Sequence, residues 1–152
     1  MTLRLSNAVF EEIRSEGEQA YPGECCGILA GRTGSVKEVL RLVPALNRRT
    51  DNPHRYLISP DDLRLIEARL RSSGQEVLGF YHSHPDHPAR PSQYDLDHAW
   101  PVFSYIIVSV RAGVPEDMTS WVLRGDRSGF DPEDLTYAQH HSHSDPAARL
   151  HR

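Results

Sequence analysis

The sequence predicts a single domain of the α/β or α+β class, in which helices pack against a β-sheet. The chain has 152 residues, of which 38% are hydrophobic and 25% are charged, and this suits one globular domain with its own core. Apolar residues recur with helical spacing in two segments and form short continuous runs in several others. Because helical and extended segments alternate along the chain, we expect layers of helix on a sheet.

Two segments carry the signals of a helix start. Ser6 or Asn7 can cap a first helix, which a Pro-Gly pair ends. Ser59 is followed by a proline and two acidic residues, which is typical of a first helical turn, and Gly74 ends this second helix. The predicted core positions of the two helices are Val9, Phe10, Ile13, Ala20, Leu63, Ile66 and Leu70.

The remaining apolar runs predict the strands of the sheet. Residues 25–30 and 36–43 flank a turn at 31–34, and together they predict an early hairpin. A polar loop is expected to follow over 44–55. Further strands are predicted at 56–58, 77–81, 104–110 and 120–123, with a short helix over 92–99.

Two histidines follow the buried strand that is predicted at 77–81. Side chains at i and i+2 of a strand point to the same face, so His82 and His84 should lie side by side before a proline turns the chain into a loop. After a spacing of seven residues, Ser92 begins a Ser-x-x-Asp sequence that ends at Asp95. Two imidazoles and one carboxylate are a common ligand set of catalytic zinc, because they leave a fourth position for water.

Each half of this motif also has a purely structural interpretation. A His-x-His pair is often a surface pair at the end of a strand. Ser92 and Asp95 have the spacing of a capping box at a helix start, with Asp in place of Glu or Gln. The two interpretations are compatible, since a capped helix would fix the direction of Asp95 and its dipole favours the ionised carboxylate.

A third element lies far upstream, where Glu24 stands at the mouth of the strand over 25–30. A metal-activated water needs a base that takes its proton and returns it to the leaving amine. A glutamate that is not itself a ligand suits this role. Taken alone, Glu24 is better interpreted as a solvated loop acid.

Together these residues resemble the JAMM (MPN+) metalloprotease family, most strongly its small bacterial and archaeal members. The resemblance rests on Glu24 in its Pro-x-Glu-Cys-Cys-Gly context, and on the His-x-His-Pro, the seven-residue spacing and the Ser-x-x-Asp. It covers roughly residues 3–137. It implies a cytidine-deaminase-like sandwich, in which a curved mixed β-sheet carries helices on both sides.

The resemblance also implies a role for each residue of the motif. His82, His84 and Asp95 would hold one zinc ion per chain, Glu24 would act as general acid and base, and Ser92 would stabilise the tetrahedral oxyanion. The implied activity is that of a zinc metallopeptidase, which hydrolyses a peptide or isopeptide bond with metal-activated water. Inactive, scaffold-only relatives lose one or more of these five residues, whereas this chain keeps them all.

The resemblance further implies a substrate that carries a Gly-Gly end. The family cleaves after the C-terminal Gly-Gly of ubiquitin-like proteins, and its small prokaryotic members trim ubiquitin-like sulfur-carrier proteins. The segment 111–119 is too short for the insertions with which deubiquitinases grip a second ubiquitin, so we expect a sulfur carrier or its C-terminal adduct as partner. Two alternatives stay open: a zinc amidohydrolase that acts on a small peptide-like conjugate, and a non-catalytic scaffold that binds a ubiquitin-like protein.

Composition argues against several other classes of function. The formal net charge is -4, so nucleic acid is not the expected partner. No apolar run approaches membrane-spanning length and the first residues carry no signal-peptide core, so we expect no membrane partner and a cytoplasmic protein. The sequence carries no signal for an oligomeric state.

The two cysteines of the chain, Cys25 and Cys26, are adjacent and poorly placed to bridge each other. We expect them to be small buried residues at the start of a strand. A zinc site shared with a His pair and a nucleophilic cysteine paired with a histidine are the alternatives. The second of these leaves the Ser-x-x-Asp spacing unexplained.

Other histidines lie near the motif and at the end of the chain. His98 follows Asp95 by three residues and is a candidate to orient a ligand. From residue 138 the sequence has little that could form a core, so we expect a catalytic domain over 1–137 and a disordered, His-rich tail over 138–152. The histidines of the tail, His140, His141 and His143, are candidates for adventitious metal binding.

Overall fold

The computed structural model of the protein describes residues 2–45 and 59–137. Within these ranges eight strands join into one sheet, in the order β7-β6-β5-β4-β2-β3-β1-β8. The elements are β1 (Leu3–Leu5), α1 (Asn7–Ala20), β2 (Cys26–Thr33), β3 (Lys37–Ala45), α2 (Pro60–Arg71), β4 (Glu76–Pro85), α3 (Gln93–His98), β5 (Ser104–Arg111), β6 (Val114–Leu123), β7 (Phe130–Glu133) and β8 (Leu135–Tyr137).

The sheet is mixed and strongly curved. β4 and β5 pair in parallel, and β1 is parallel to both β3 and β8, whereas the other pairs are antiparallel. β7 and β8 form the two edges of the sheet, yet only Asp134 separates them along the chain. The sheet therefore curls until its edges come together, which confirms the predicted curved, mixed sheet.

Helices cover both faces of this sheet, as predicted. On one face, Phe10 and Ile13 of α1 share a buried cluster with Tyr81 of β4. On the other face, Leu70 of α2 packs in a cluster with Phe80, the preceding residue of the same strand. Neighbouring residues of β4 therefore point to different layers of the core, as the pleat of a strand requires.

The three helix starts lie where the serines predict them. The Ser6 hydroxyl accepts a hydrogen bond from the Val9 amide at 3.1 Å, and Ser59 accepts one from the Asp62 amide at 3.1 Å. Ser92 caps α3 in the same way. These local hydrogen bonds satisfy amides that have no partner inside the helix, and for this reason the sequence signal is reliable.

The strands differ from the prediction in several places. Gly31 lies within β2 rather than in a turn, next to a shift in the register of the ladder. Only glycine fits at this position, because a Cβ would approach the Glu38 carbonyl oxygen to 1.9 Å. Pro44 belongs to β3 rather than to a loop, and β6 begins at Val114 rather than at Ser120. The short strands β1, β7 and β8 were not predicted. The predicted strand at 56–58, most of the loop before it and the predicted tail lie outside the described residues.

In the part of the chain that the structure describes, no helix combines the length and apolarity needed to span a membrane.

Candidate metal centre

The two histidines of the motif lie inside β4 and not beyond its end, since this strand continues to Pro85. β4 is held between β2 and β5, with His82 opposite Cys26 on one side and Ile107 on the other. His82 and His84 are 1% and 7% exposed. They share one face of the strand, so two imidazoles converge in a rigid, nearly dry part of the sheet.

The carboxylate of the motif is aimed by the capping box at the start of α3. The Ser92 hydroxyl accepts from the Asp95 amide at 3.1 Å, and the Asp95 Oδ2 accepts from the Ser92 amide at 2.8 Å. This reciprocal pair confirms the predicted capping box. It turns the Asp95 side chain back toward β4, where it is 6% exposed.

These three side chains meet atom to atom. The Nε2 atoms of His82 and His84 are 3.0 Å apart. Asp95 Oδ1 lies 3.3 Å from His82 Nε2, and Asp95 Oδ2 lies 3.1 Å from His84 Nε2. Tetrahedral zinc with bonds of about 2.0–2.1 Å separates its ligand atoms by about 3.3–3.4 Å. The cluster, which we call the histidine cluster, therefore has the dimensions of a metal site.

The hydrogen bonds of His84 show which of its nitrogens is available to a metal. Its Nδ1 lies 2.9 Å from the Pro88 carbonyl oxygen, which can only accept, so Nδ1 carries the hydrogen. In the neutral ring, Nε2 then presents a lone pair to the carboxylate of Asp95. Lone pairs that face one another at such distances repel unless a cation lies between them, and the donor set therefore fits a divalent metal ion.

The electrostatics of the cluster favour a neutral His82, a protonated His84 and an ionised Asp95, and a metal ion that binds there would displace the proton of His84. Burial lowers the pKa of His82, although the charge of Asp95 opposes this. Burial acts in the same direction on His84, but its hydrogen bonds to Asp95 and to the Pro88 carbonyl outweigh it, and its pKa is raised. Burial also disfavours the ionised form of Asp95, but the two imidazoles prevail and hold the pKa of that carboxyl well below its usual range. Asp95 is thus ionised at neutral pH, as a ligand must be.

Glu24 and Ser92 lie beside the cluster, on the wall of a cavity of about 660 Å³ that His84 also lines. The negative charge of Glu24 contributes to the raised pKa of His84. The Ser92 oxygen accepts from the Asp95 amide, and its hydroxyl hydrogen remains available to a ligand in the cavity. The fold therefore brings all five residues of the motif to one place.

The remaining sequence candidates take no part in the cluster. Cys25 and Cys26 are buried thiols, as predicted, and burial raises their pKa values to about 11 and about 12. They are protonated at neutral pH, so the nucleophilic-cysteine alternative has no support. His98 is exposed; its Nδ1 contacts the Tyr94 carbonyl of its own helix, and its ring stacks on Tyr94.

Sequence analysis missed the groups that hold the loop and the helix around the cluster. Thr119 donates from β6 to the Ala89 carbonyl at 2.7 Å and thereby fixes the loop that follows His84. Arg127 donates to the Ala99 carbonyl at 2.8 Å, just after α3. These hydrogen bonds join segments that are far apart in the sequence. Their acceptors are backbone carbonyls, which every residue has, so no residue type at the acceptor position indicates the contact.

Comparison with known proteins decides the family. Residues 6–124, well over half of the chain, match the model of prokaryotic homologs of the JAB domain. The chain belongs to this family. The predicted resemblance to small prokaryotic JAMM/MPN proteins is thereby confirmed, and with it the predicted class of enzyme, a metallopeptidase, at the level of the family.

Three relatives of this JAB-domain protein have named activities. It is 35% identical over 89 residues to the desampylase of Haloferax volcanii, a match that covers 58% of this chain and 63% of that protein. It is 34% identical over 108 residues to the probable TtuB-protein conjugate cleaving protease of Thermus thermophilus, with 70% of each covered. It is 32% identical over 108 residues to the CysO-cysteine peptidase of Mycobacterium tuberculosis, again with 70% of each covered. The chain thus spans less than two thirds of the Haloferax protein.

Solved structures share the fold of the JAB-domain protein. A protein from Desulfitobacterium hafniense is 32% identical and superposes with a TM-score of 0.77, covering 94% of this chain and 99% of that one. A JAB1/MPN domain protein from Archaeoglobus fulgidus, 20% identical, superposes with a TM-score of 0.58 over 90% of this chain and 98% of that one. The second likeness shows the fold alone, and it confirms the predicted MPN sandwich.

Proposed function

We propose that this protein is a zinc-dependent peptidase that hydrolyses the bond after the C-terminal Gly-Gly of a ubiquitin-like protein. The observation that carries the proposal is the convergence of His82, His84 and Asp95 within 3.0, 3.1 and 3.3 Å of one another, beside Glu24 and Ser92 on one cavity wall. A cluster of lone-pair donors next to an acid and a hydroxyl has the parts that metal-assisted amide hydrolysis requires.

His82, His84 and Asp95 would hold one zinc ion per chain. Two neutral imidazoles and a carboxylate are a donor set that zinc prefers, and a tetrahedral ion keeps a fourth position outside this set. The chemistry that zinc supplies in such a site is Lewis acidity, which makes water a nucleophile near neutral pH and polarises a carbonyl. The Pro88 carbonyl would support the site, because it fixes the ring orientation and the tautomer of His84.

Glu24 would act as the general acid and base. It lies on the wall of the cavity that His84 also lines and outside the ligand set, a position from which a carboxylate can exchange protons with a substrate bound in the cavity. It takes a proton from the attacking water and returns it to the leaving nitrogen, which lets the amine depart as a neutral group.

Ser92 would stabilise the oxyanion that forms on the substrate carbonyl. Its oxygen is held in place by the Asp95 amide, so the remaining freedom of the hydroxyl is the direction of its hydrogen. A donor fixed in this way needs little reorganisation when negative charge develops. The hydroxyl therefore donates to the tetrahedral oxyanion.

The proposed substrate is a ubiquitin-like sulfur-carrier protein or its C-terminal adduct, cleaved at a peptide or isopeptide bond. The names of the relatives support this class, since they include a TtuB-protein conjugate cleaving protease and a CysO-cysteine peptidase. β5 and β6 are joined by Ala112 and Gly113 alone, which supports a compact enzyme without an insertion for a second ubiquitin at this position. We propose that the reaction takes place in the cytoplasm, where reducing conditions keep buried cysteines such as Cys25 and Cys26 in the thiol form.

A carrier-fusion assay tests this proposal. The zinc-loaded protein is incubated with a ubiquitin-like carrier whose Gly-Gly is followed by a cysteine or a short peptide, and the products are weighed by mass spectrometry. We expect release after Gly-Gly, no release when Ala-Ala replaces Gly-Gly, and release that is slowed by about 10²- to 10⁴-fold in Glu24→Gln. Cleavage of short acyl-amino acids alone would instead favour the amidohydrolase, and binding of the carrier without cleavage would favour the scaffold.

A further inference from the structure

The backbone next to Glu24 is tied to the histidine strand by an unusual pair of hydrogen bonds. β2 and β4 are antiparallel, and beyond the pair of Cys26 and His82 the next residues are Cys25 and Ser83. The Ser83 amide donates to the Cys25 carbonyl at 3.1 Å, as in a regular ladder. The return bond runs from the Cys25 amide to the Ser83 hydroxyl at 2.8 Å. In a regular pair the Ser83 carbonyl would be the acceptor, so a side chain replaces the main chain here.

This hydroxyl is enclosed by the protein. Ser83 is 0% exposed, and it faces away from the two histidines that flank it. Helix α1 passes over it at Gly17, where a Cβ would lie 3.5 Å from the Cβ of Ser83. Because water is excluded, the bond to Cys25 is well ordered and costly to leave unmade.

The position of this bond gives it a consequence for the site. Ser83 stands between His82 and His84, and Cys25 directly follows Glu24. The hydroxyl of Ser83 therefore makes one of the two hydrogen bonds that hold the segment of the proposed base against the strand of two proposed metal ligands. Proton transfer depends on such placement, since a displacement of about 1 Å can cost about 100-fold in rate.

We propose that Ser83 is a positioning residue, whose hydroxyl holds the Cys25 amide and thereby aims Glu24 into the cavity. The proposal rests on the proposed function, in which Glu24 is the general base. In this proposal the middle residue of the His-Ser-His sequence positions the general base and does not position the metal ligands.

Substitution of Ser83 in the full chain tests this role. In Ser83→Ala we expect the zinc content and KM of the wild type, with kcat lowered by about 10- to 100-fold. Ser83→Thr keeps the hydroxyl and should restore most of kcat. Ser104→Ala is the matched control, because Ser104 is buried at the other end of β5, opposite Gly79 of β4, and accepts a hydrogen bond from Lys37. We expect this control to have the kcat of the wild type.

A double mutant separates positioning of Glu24 from a general structural effect. If Ser83 acts through Glu24, Ser83→Ala should lower the residual kcat of Glu24→Gln by less than about twofold, because coupled residues are not additive. The same fold-loss in both backgrounds would overturn the proposal. Loss of zinc from Ser83→Ala would also overturn it, since the residue would then act through the ligands.

Amide hydrogen exchange at Cys25, measured by NMR, tests the bond without any substrate. We expect faster exchange in Ser83→Ala than in the wild type, and exchange close to the wild type in Ser83→Thr. Unchanged exchange in Ser83→Ala would overturn the role of Ser83 while leaving the proposed function in place. A wild type that cleaves no carrier fusion would instead overturn the proposed function and, with it, the role of Ser83 in catalysis.

Discussion

Two polar clusters with little-exposed side chains lie near opposite ends of the paired strands β4 and β5, and the two clusters differ in one respect. At the end where β5 begins, Lys37 lies 2.6 Å from Glu133 and also donates to Ser104. Ser120 donates to the second oxygen of Glu133 at 2.8 Å. In this group, which we call the lysine cluster, ammonium and hydroxyl donors face carboxylate and hydroxyl acceptors. At the other end of the same strands lies the histidine cluster, in which imidazole nitrogens and carboxylate oxygens that can bind a cation lie close together.

The difference teaches how to distinguish a structural cluster from a binding site. The lysine cluster is complete, since its positive charge and its donors are part of the chain. The histidine cluster brings together two imidazoles and an ionised carboxylate whose nitrogen and oxygen atoms can all bind a cation, which favours its interpretation as a metal site. Both clusters are polar and little exposed, so the balance of donors and acceptors decides the interpretation.

Removal of a ligand should have the largest effect. We expect His84→Ala to lose zinc and to lose carrier cleavage below detection, because two remaining ligands bind zinc far more weakly. Zinc should raise the melting temperature of the wild type but not of this variant, since a ligand that binds only the folded state stabilises it. Cleavage by His84→Ala at a substantial fraction of the wild-type rate would contradict the assignment of the histidine cluster.

Loss of the proposed base should come next. Glu24→Gln keeps the size of the side chain but cannot accept a proton, so we expect kcat to fall by about 10²- to 10⁴-fold with zinc content unchanged. Glu18→Gln, at an exposed position of α1, is the control and should have the activity of the wild type. Steady-state kinetics gives kcat, and elemental analysis of the same samples gives the zinc content, for the wild type and both variants. A Glu24→Gln variant that turns over normally would remove Glu24 from the mechanism.

Disruption of the lysine cluster should affect stability and not zinc. Lys37 and Glu133 have side chains that are 12% and 4% exposed, and breaking such a buried pair typically costs about 3–5 kcal/mol. We therefore expect Lys37→Met to lower the free energy of unfolding by about this amount, measured by urea denaturation, with zinc per chain unchanged. The double variant Lys37→Met, Glu133→Leu should recover part of the loss. A fall in zinc content would show that the two clusters are not independent.

Alkylation of the cysteines should have the smallest effect. The thiols of Cys25 and Cys26 are buried and their pKa values are raised to about 11 and about 12, so little reactive thiolate exists at neutral pH. We expect iodoacetamide to leave mass and activity unchanged near neutral pH, and its reaction to accelerate as the pH rises toward those values. Rapid modification at neutral pH with loss of turnover would instead restore the nucleophilic-cysteine alternative.

The histidine cluster could be predicted from sequence because its parts are local. Two side chains spaced i and i+2 share a face of any strand, and a capping box aims its own carboxylate. The capping serines Ser6, Ser59 and Ser92 mark helix starts for the same reason, since each bonds to an amide three residues away. What lies within one turn of helix or one pleat of strand is visible in the sequence.

The lysine cluster and the curvature of the sheet could not be predicted, because they depend on contacts distant in sequence. Lys37 is the only lysine of the sequence, yet the residues around it do not indicate that it pairs with Glu133. The short strands β1, β7 and β8 have three or four residues each, too few for a pattern of alternation. The hydrogen bond of Ser83 could not be predicted for the same reason, since its partner Cys25 lies 58 residues away in the sequence.

The measurement that tests the account most directly is zinc per chain, determined by elemental analysis after zinc loading and desalting. It compares the wild type, His82→Ala, and a variant in which His140, His141 and His143 of the predicted tail are changed to alanine. We predict one zinc ion in the wild type, none in His82→Ala, and one in the tail variant. No zinc in the wild type, or zinc that is lost with the tail histidines and kept by His82→Ala, would contradict the claim that the histidine cluster is the metal centre.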